Sequence, residues 1–340
     1  MFRQVILTGN PMDRGIAHGE SLRSEIHYTW EFYRSIFNLP ESGVLELAGH
    51  FGNLIRKFNA DCLDEIRGIA TGSGLNVLKI IALNSRTEIL SHGHAAPTNE
   101  CTALCLPERR LMGQTWDWAE ALEPVGTVLT IAGEDGHRIT MFTEPGLVGK
   151  IGMNNSGVGV CLNILTLGRP QKGLPVHVLL RAILDCRTAA EARMLALAQG
   201  RGKASNIIVA DQTGDGFDLE FAGEEHCLIE GNPGYLLHTN HYLGAAVEAP
   251  QDSDFTSSHA RFDTVRALLQ TQGCRSRAGL CQLLSDRSHP ALPVYRDYRP
   301  DPMVRSCGTV STIVMDLENH ELFIRQGNAP DAKFQSFNTA

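Results

Sequence analysis

An α+β fold, with antiparallel sheets and helices packed outside them, is the class this 340-residue sequence predicts, and two observations carry the prediction. The first hundred residues read as almost wholly helical and end in a run of breakers containing Gly93, Pro97 and Asn99. From Cys101 onward short β-rich runs dominate, grouped before and after a helical pair and before a second pair of helices.

The chain opens with a short strand, Gln4 to Leu7. A helix follows, with Asn10 as N-cap, Pro11 at the first helical position and Asp13 in the first turn. Leu22, Ile26, Trp30, Tyr33 and Phe37 recur at steps of four, four, three and four, which makes one buried helical face. Further helices are predicted over 42–58, 60–71 and 76–91. Strands are predicted over 101–106, 111–117, 127–133, 138–143, 148–153 and 157–163, a helical pair over 175–199, and strands again over 205–210, 217–221 and 235–239. Helices near 258–270 and 276–285 precede two closing strands, Thr309 to Met315 and Leu322 to Arg325. One compact unit is expected, with a helical segment over 1–100 and the β-rich portion over 101–340.

Composition narrows the function. A formal charge of −8 disfavours a nucleic-acid partner, which needs a basic face. A coenzyme A thioester is polyanionic and requires a local basic patch, for which Arg109-Arg110 and Arg169 with Lys172 are the candidates. The first residues lack the apolar core and cleavage site of a signal peptide, and no apolar run approaches a membrane span, so a soluble, cytoplasmic protein without a membrane partner is expected. Nine cysteines without regular spacing fit a reducing compartment. Gly72, Gly74, Gly157 and Gly159 make no phosphate loop. His92, His94, Cys101 and Cys105 lack the spacing of a familiar zinc site, so neither metal nor cofactor is expected.

Cys101 stands out because it follows the run His92 to Glu100 and begins a strand, Cys101-Thr102-Ala103-Leu104-Cys105-Leu106. Were the Glu100–Cys101 bond cut, Cys101 would carry a thiol and a free α-amine, and an amine with a pKa of about 7.7–8.0 can take the proton of a thiol of about 8.5. The plain alternative is a small buried hydrophobe. His238 and His241 invite a Cys-His dyad, which an N-terminal amine would make redundant. Asn240 ends an apolar run, Leu236-Leu237-His238-Thr239-Asn240, and its amide can donate to an oxyanion without titrating; a turn asparagine is the alternative. Asp117 lies in a strand-like run between Trp116 and Trp118, which read as core or pocket wall. Asn163 can support the site from a neighbouring strand, and Arg261 can pair with Asp117 or a substrate carboxylate.

The segment Cys101-Thr102 followed by Met112-Gly113-Gln114-Thr115-Trp116-Asp117-Trp118 resembles the start of the mature chain in the peptidase C45 family, the penicillin acyltransferase-like N-terminal nucleophile (Ntn) hydrolases. Glu65 to Ala70 and Leu83 to Glu88 resemble the family's helical pro-segment, and Asn154 to Asn163, His238 to His241 and Thr309 to Asp316 follow in the family's order. Thr115 departs from the pattern, standing where the family usually has Asn. The resemblance implies a four-layer αββα sandwich with Cys101 as nucleophile, Asp117 orienting the amine or substrate and Asn240 in the oxyanion hole. Thr102, Trp116, Asn163 and Arg261 would support the site or bind substrate. It also implies self-cleavage between Glu100 and Cys101 into two associated fragments, α (1–100) and β (101–340). The expected activity is hydrolysis of a linear amide in a small N-acyl compound through a thioester. Acyl transfer from an acyl-CoA or amide to an amine is the alternative, and a non-catalytic binding scaffold is a further one. Homo-oligomerisation stays open.

Overall fold

The side chain of Asn10 accepts from the backbone N–H of Asp13 at 3.0 Å and starts a helix, as its place before Pro11 predicts. The structure, a computed structural model, describes residues 2–93, 100–231, 234–244, 256–327 and 331–340. After β1 (Arg3–Thr8) come α1 (Pro11–Ser21), α2 (Arg23–Ile36), α3 (Glu41–Phe58), α4 (Ala60–Ser73), α5 (Val77–Asn84) and α6 (Arg86–His92). Leu22, Ile26, Trp30, Tyr33 and Phe37 are all buried. The backbone leaves helical geometry at Leu22, at φ −123°, which separates α1 from α2. The single helix expected over 76–91 is likewise divided, at Ser85, where φ is −114°. Helices α1 and α4 touch backbone to backbone: a Cβ added at Gly15 would meet Glu65 O at 2.1 Å, and one at Gly72 would meet Ile16 O at 2.2 Å.

The remainder supplies β2 (Glu100–Leu106), β3 (Leu111–Ala119), β4 (Thr127–Ala132), β5 (Arg138–Thr143), β6 (Ile151–Asn154), β7 (Gly159–Ile164), α7 (Val176–Asp185), α8 (Ala189–Gln199), β8 (Lys203–Ala210), β9 (Gly216–Gly223), β10 (Glu225–Leu228) and β11 (Leu236–His238). Then follow α9 (Thr256–Gln272), α10 (Arg277–Leu283), β12 (Arg299–Asp301), β13 (Arg305–Asp316), β14 (Glu321–Gln326) and β15 (Gln335–Asn338). One sheet has the order β1-β4-β5-β6-β7-β8-β9-β10 and the other β11-β2-β3-β13-β14-β15, with β12 beside β13. Pairing is antiparallel except between β1 and β4, where the N-terminal strand joins the first sheet in parallel.

The sheets pack face to face, β2 and β3 over β7 and β14 over β5. Helices α7 and α8 lie against the first sheet, and α9 and α10 against the second, which gives the αββα layering. Strand β3 is buried at every position because its sheet is covered on both faces. Along β2 the alternation still sorts the side chains: Cys101, Ala103 and Cys105 join the core between the sheets, while Leu104 and Leu106 join the cluster beneath α9 and α10. Among the described residues no helix is long and apolar enough to cross a membrane.

Candidate active site

Strand β7 runs past the end of β6, whose pairing with it involves Val160 and Gly159, so the following backbone groups need other partners. Side chains from the facing sheet supply them. Gln114 Oε1 accepts from Leu162 N at 2.7 Å and its Nε2 donates to Leu162 O at 3.2 Å, while Asn240 Nδ2 donates to Ile164 O at 3.0 Å. At this junction lies a cavity of about 20 Å³, room for one water, bordered by Cys101, Gln114, Trp116, Lys150, Ile164 and Arg86 among others.

Pairing of β2 with β3 sets Cys101 opposite Trp116 and Glu100 opposite Asp117. Strand β11 pairs His238 with Ala103, so the chain just beyond it delivers Asn240 beside Cys101. Asn240 Oδ1 accepts from Cys101 N at 2.6 Å and from Arg261 Nη2 at 3.0 Å. Both partners are donors, so the amide oxygen faces the backbone of Cys101 and its NH2 faces Ile164. One hydrogen of that NH2 is used by Ile164; an amide NH2 carries a second. Arg261, on α9, donates through Nη1 to Cys101 O at 2.7 Å and Thr102 Oγ1 at 2.8 Å, and Asn163, on β7, donates to the same Cys101 carbonyl at 3.0 Å. The guanidinium thus clamps the backbone of Cys101. Asp117 Oδ1 accepts from Thr309 Oγ1 at 2.8 Å. Thr115, the departure from the family pattern, accepts from Thr102 N at 3.1 Å.

Cys101 is 3% exposed. Burial, then the Asp117 carboxylate, push its thiol up to about 12, against the backbone N–H of Asp117, Arg261 and Lys150. In the uncut chain the thiol is therefore protonated at neutral pH. His238 is not its base: Nε2 lies 2.7 Å from Glu220 Oε1 and Nδ1 lies 2.8 Å from Thr239 O. His241 Nδ1 is 2.8 Å from Ser258 Oγ, which itself receives Asn240 N at 2.7 Å. Of the four residues weighed as a metal set, His92 Nε2 contacts Gln171 O at 2.9 Å, and His94 lies outside the described residues.

Sequence reasoning missed a buried charged group on the cavity's far wall. Lys150 Nζ is 3.0 Å from the Trp116 ring centroid and 2.8 Å from Glu144 Oε2. Arg86, from α6, pairs with the same carboxylate, and Tyr33, from α2, donates to its other oxygen. Trp118 Nε1 donates to Tyr33 Oη at 3.0 Å. Against burial, Arg86 and Lys150 hold the Glu144 carboxyl well below the usual carboxylate range. Trp116 and Trp118 are thus pocket wall, and the helical N-terminal segment contributes to the site. The available signal was the pairing of ionisable residues with apolar runs: Arg86 follows Leu83, and Lys150 precedes Ile151.

The family described as Acyl-coenzyme A:6-aminopenicillanic acid acyl-transferase matches residues 105–330, beginning just past Cys101. The acyl-coenzyme A:6-aminopenicillanic-acid-acyltransferase 40 kDa form of Emericella nidulans is 29% identical over 344 residues, covering 97% of this chain and 94% of that protein. Protein dcd1A of Dictyostelium discoideum is 24% identical over 217 residues, 53% of this chain and 48% of its own length, so the match spans about half of that relative. Among solved structures, penicillin V acylase from Agrobacterium tumefaciens aligns with a TM-score of 0.42 at 13% identity, over 68% of this chain and 84% of its own. With well over half of its residues matched, the chain belongs to the acyl-coenzyme A:6-aminopenicillanic acid acyl-transferase family.

Proposed function

We propose that this protein is a self-processing cysteine amidohydrolase acting on a small N-acyl compound. The observation that carries the reading is the hydrogen bond from Cys101 N to Asn240 Oδ1, made while the chain is still whole. Once Glu100–Cys101 is cut, that nitrogen becomes an amine already tethered next to its own thiol. It takes the Sγ proton, and the thiolate adds to the substrate's amide carbonyl. The second Nδ2 hydrogen of Asn240 then meets the developing oxyanion. The ammonium returns its proton to the leaving amine, and water resolves the thioester. Asp117, fixed by Thr309, holds the amine from the neighbouring strand, and Arg261 and Asn163 keep the Cys101 carbonyl still.

Acyl transfer is the second reading, favoured by the name of the Emericella nidulans relative. It uses the same thioester and replaces water with an amine. Residues 1–100 and 101–340 are the two fragments, and they stay associated. All nine cysteines are free thiols, which supports a reducing, cytoplasmic setting.

Intact-mass measurement and N-terminal sequencing test the cut: the two fragments should co-purify, and Cys101→Ala should yield one inactive chain. A persistently single but active chain overturns the free-amine mechanism. A panel of N-acyl amines with and without added amine acceptors separates hydrolysis from transfer.

A further inference from the structure

Self-cleavage has a need that turnover lacks. Until Glu100–Cys101 breaks, Cys101 N is an amide and accepts no proton, so another group must take the proton of the thiol. Lys150 borders the same cavity as Cys101, with its Nζ on the ring of Trp116, the cross-strand neighbour of Cys101. Around it stand Glu144, Arg86, Tyr33, Cys101 and His177. Two cations, Arg86 and Lys150, share the Glu144 carboxylate in an interior almost closed to water. Arg86 also faces the buried carboxyl of Glu88, whose own pKa burial raises. A guanidinium keeps its proton in proteins, so Lys150 is the one that can lose it.

We infer that Lys150 is the proton acceptor of self-cleavage, set up for that task by Arg86 from the other side of the cut. The inference rests on the self-cleavage reading above. Burial, with Arg86 adding to it and Glu144 opposing, brings the ammonium down to about 7, so a neutral amine is present near neutral pH. Nζ takes the Sγ proton directly or through one water in the cavity. The sulfur adds to the Glu100 carbonyl carbon. The proton then passes from Nζ to Cys101 N as the C–N bond breaks, leaving a Glu100 thioester and a free α-amine. Water adds to the thioester and releases the thiol and the Glu100 carboxyl group. Lys150 ends as it began, and no oxidant or reductant is used.

Lys150→Arg tests the role, since it keeps a cation on Glu144 and Trp116 but offers no neutral amine. Cutting should slow at least ~100-fold while thermal melting stays close to wild type. A precursor carrying Cys101→Ser, slow enough to be timed, should cut faster as pH rises from about 6 to about 8, following the titration of a neighbouring base, and lose that rise when Lys150→Arg is added. Wild-type cutting by Lys150→Arg overturns the assignment while leaving self-cleavage intact. If Lys150→Arg does not fold, the Cys101→Ser profile decides by itself: a flat profile overturns the inference and a rising one supports it. A wild-type chain that never cuts overturns both the self-cleavage reading and this role.

Discussion

Replacing Asn240 tests its proposed place in the oxyanion hole apart from its structural work. In Asn240→Ala, Cys101 N, one N–H of Arg261 and the Ile164 carbonyl each lose a buried partner, having been held at 2.6, 3.0 and 3.0 Å. At about 1–3 kcal/mol for each unsatisfied group, partly offset by relaxation, the fold loses on the order of 3 kcal/mol. Loss of an oxyanion donor costs a further ~2.7–4 kcal/mol in the transition state, a fall of about 10²–10³-fold in kcat with little change in KM. Asn240→Asp keeps both accepting bonds and gains charge attraction to Arg261, but sets a carboxylate against the Ile164 carbonyl and against the oxyanion. It should melt above the Ala variant and turn over no faster. The assay is kcat and KM on an N-acyl amine with protein verified by mass as cleaved, beside thermal melting. A cleaved Asn240→Ala within about threefold of wild-type kcat would refute the oxyanion assignment and leave backbone N–H groups as the donors.

Gly72→Ala should destabilise the protein by ~1–3 kcal/mol in denaturant titration, because its Cβ would lie 2.2 Å from Ile16 O, whereas Gly49→Ala in α3, with nothing within 4 Å, should stabilise by up to ~1 kcal/mol. Equal effects at the two sites would contradict the backbone contact of α1 with α4. Cys105→Ala removes one buried sulfur from β2 and should cost ~1 kcal/mol without slowing cleavage or turnover; lost cutting would mean that the nucleophile is misassigned. Both ring nitrogens of His238 face acceptors, and although burial opposes the charge, Asp218 and Glu220 raise its pKa above the ordinary value. A raised folded pKa gives stabilisation that is full below the unfolded value of about 6.5 and fades as pH rises through the folded one, so the melting advantage over His238→Gln should shrink as pH rises beyond about 6.5. An advantage that grew with pH would refute the imidazolium.

Grouped helices followed by grouped strands were legible because apolar periodicity is local, and so was the β2 start at Cys101 after its breakers. The breaks at Leu22 and Ser85 were not, since tertiary packing bends the chain where local pattern favours continuing the helix. Strands β10, β12 and β15 escaped because they are short and lie at or beside sheet edges, with half-exposed residues that mimic loops. Cys101, Asp117, Asn240, Asn163 and Arg261 could be named from motifs, and the structure brings four of them into one hydrogen-bonded group with Asp117 on the adjoining strand. Arg86, Glu144 and Lys150 come from separate segments, and each alone reads as a surface charge. Only burial makes them a group.

The junction between residues 1–100 and the rest changes character if the chain is cut. Strand β1 completes one sheet by pairing with β4, Glu65 of α4 binds Arg181 of α7 at 2.9 Å, and Tyr33 and Arg86 end on Glu144. A whole chain brings these surfaces together by intramolecular search, at a rate independent of dilution. Two fragments must find each other, so reassembly after denaturation becomes second order and slows with dilution. The cut enzyme then persists because its pieces separate slowly, and its lifetime is a matter of kinetics where the precursor's is a matter of equilibrium.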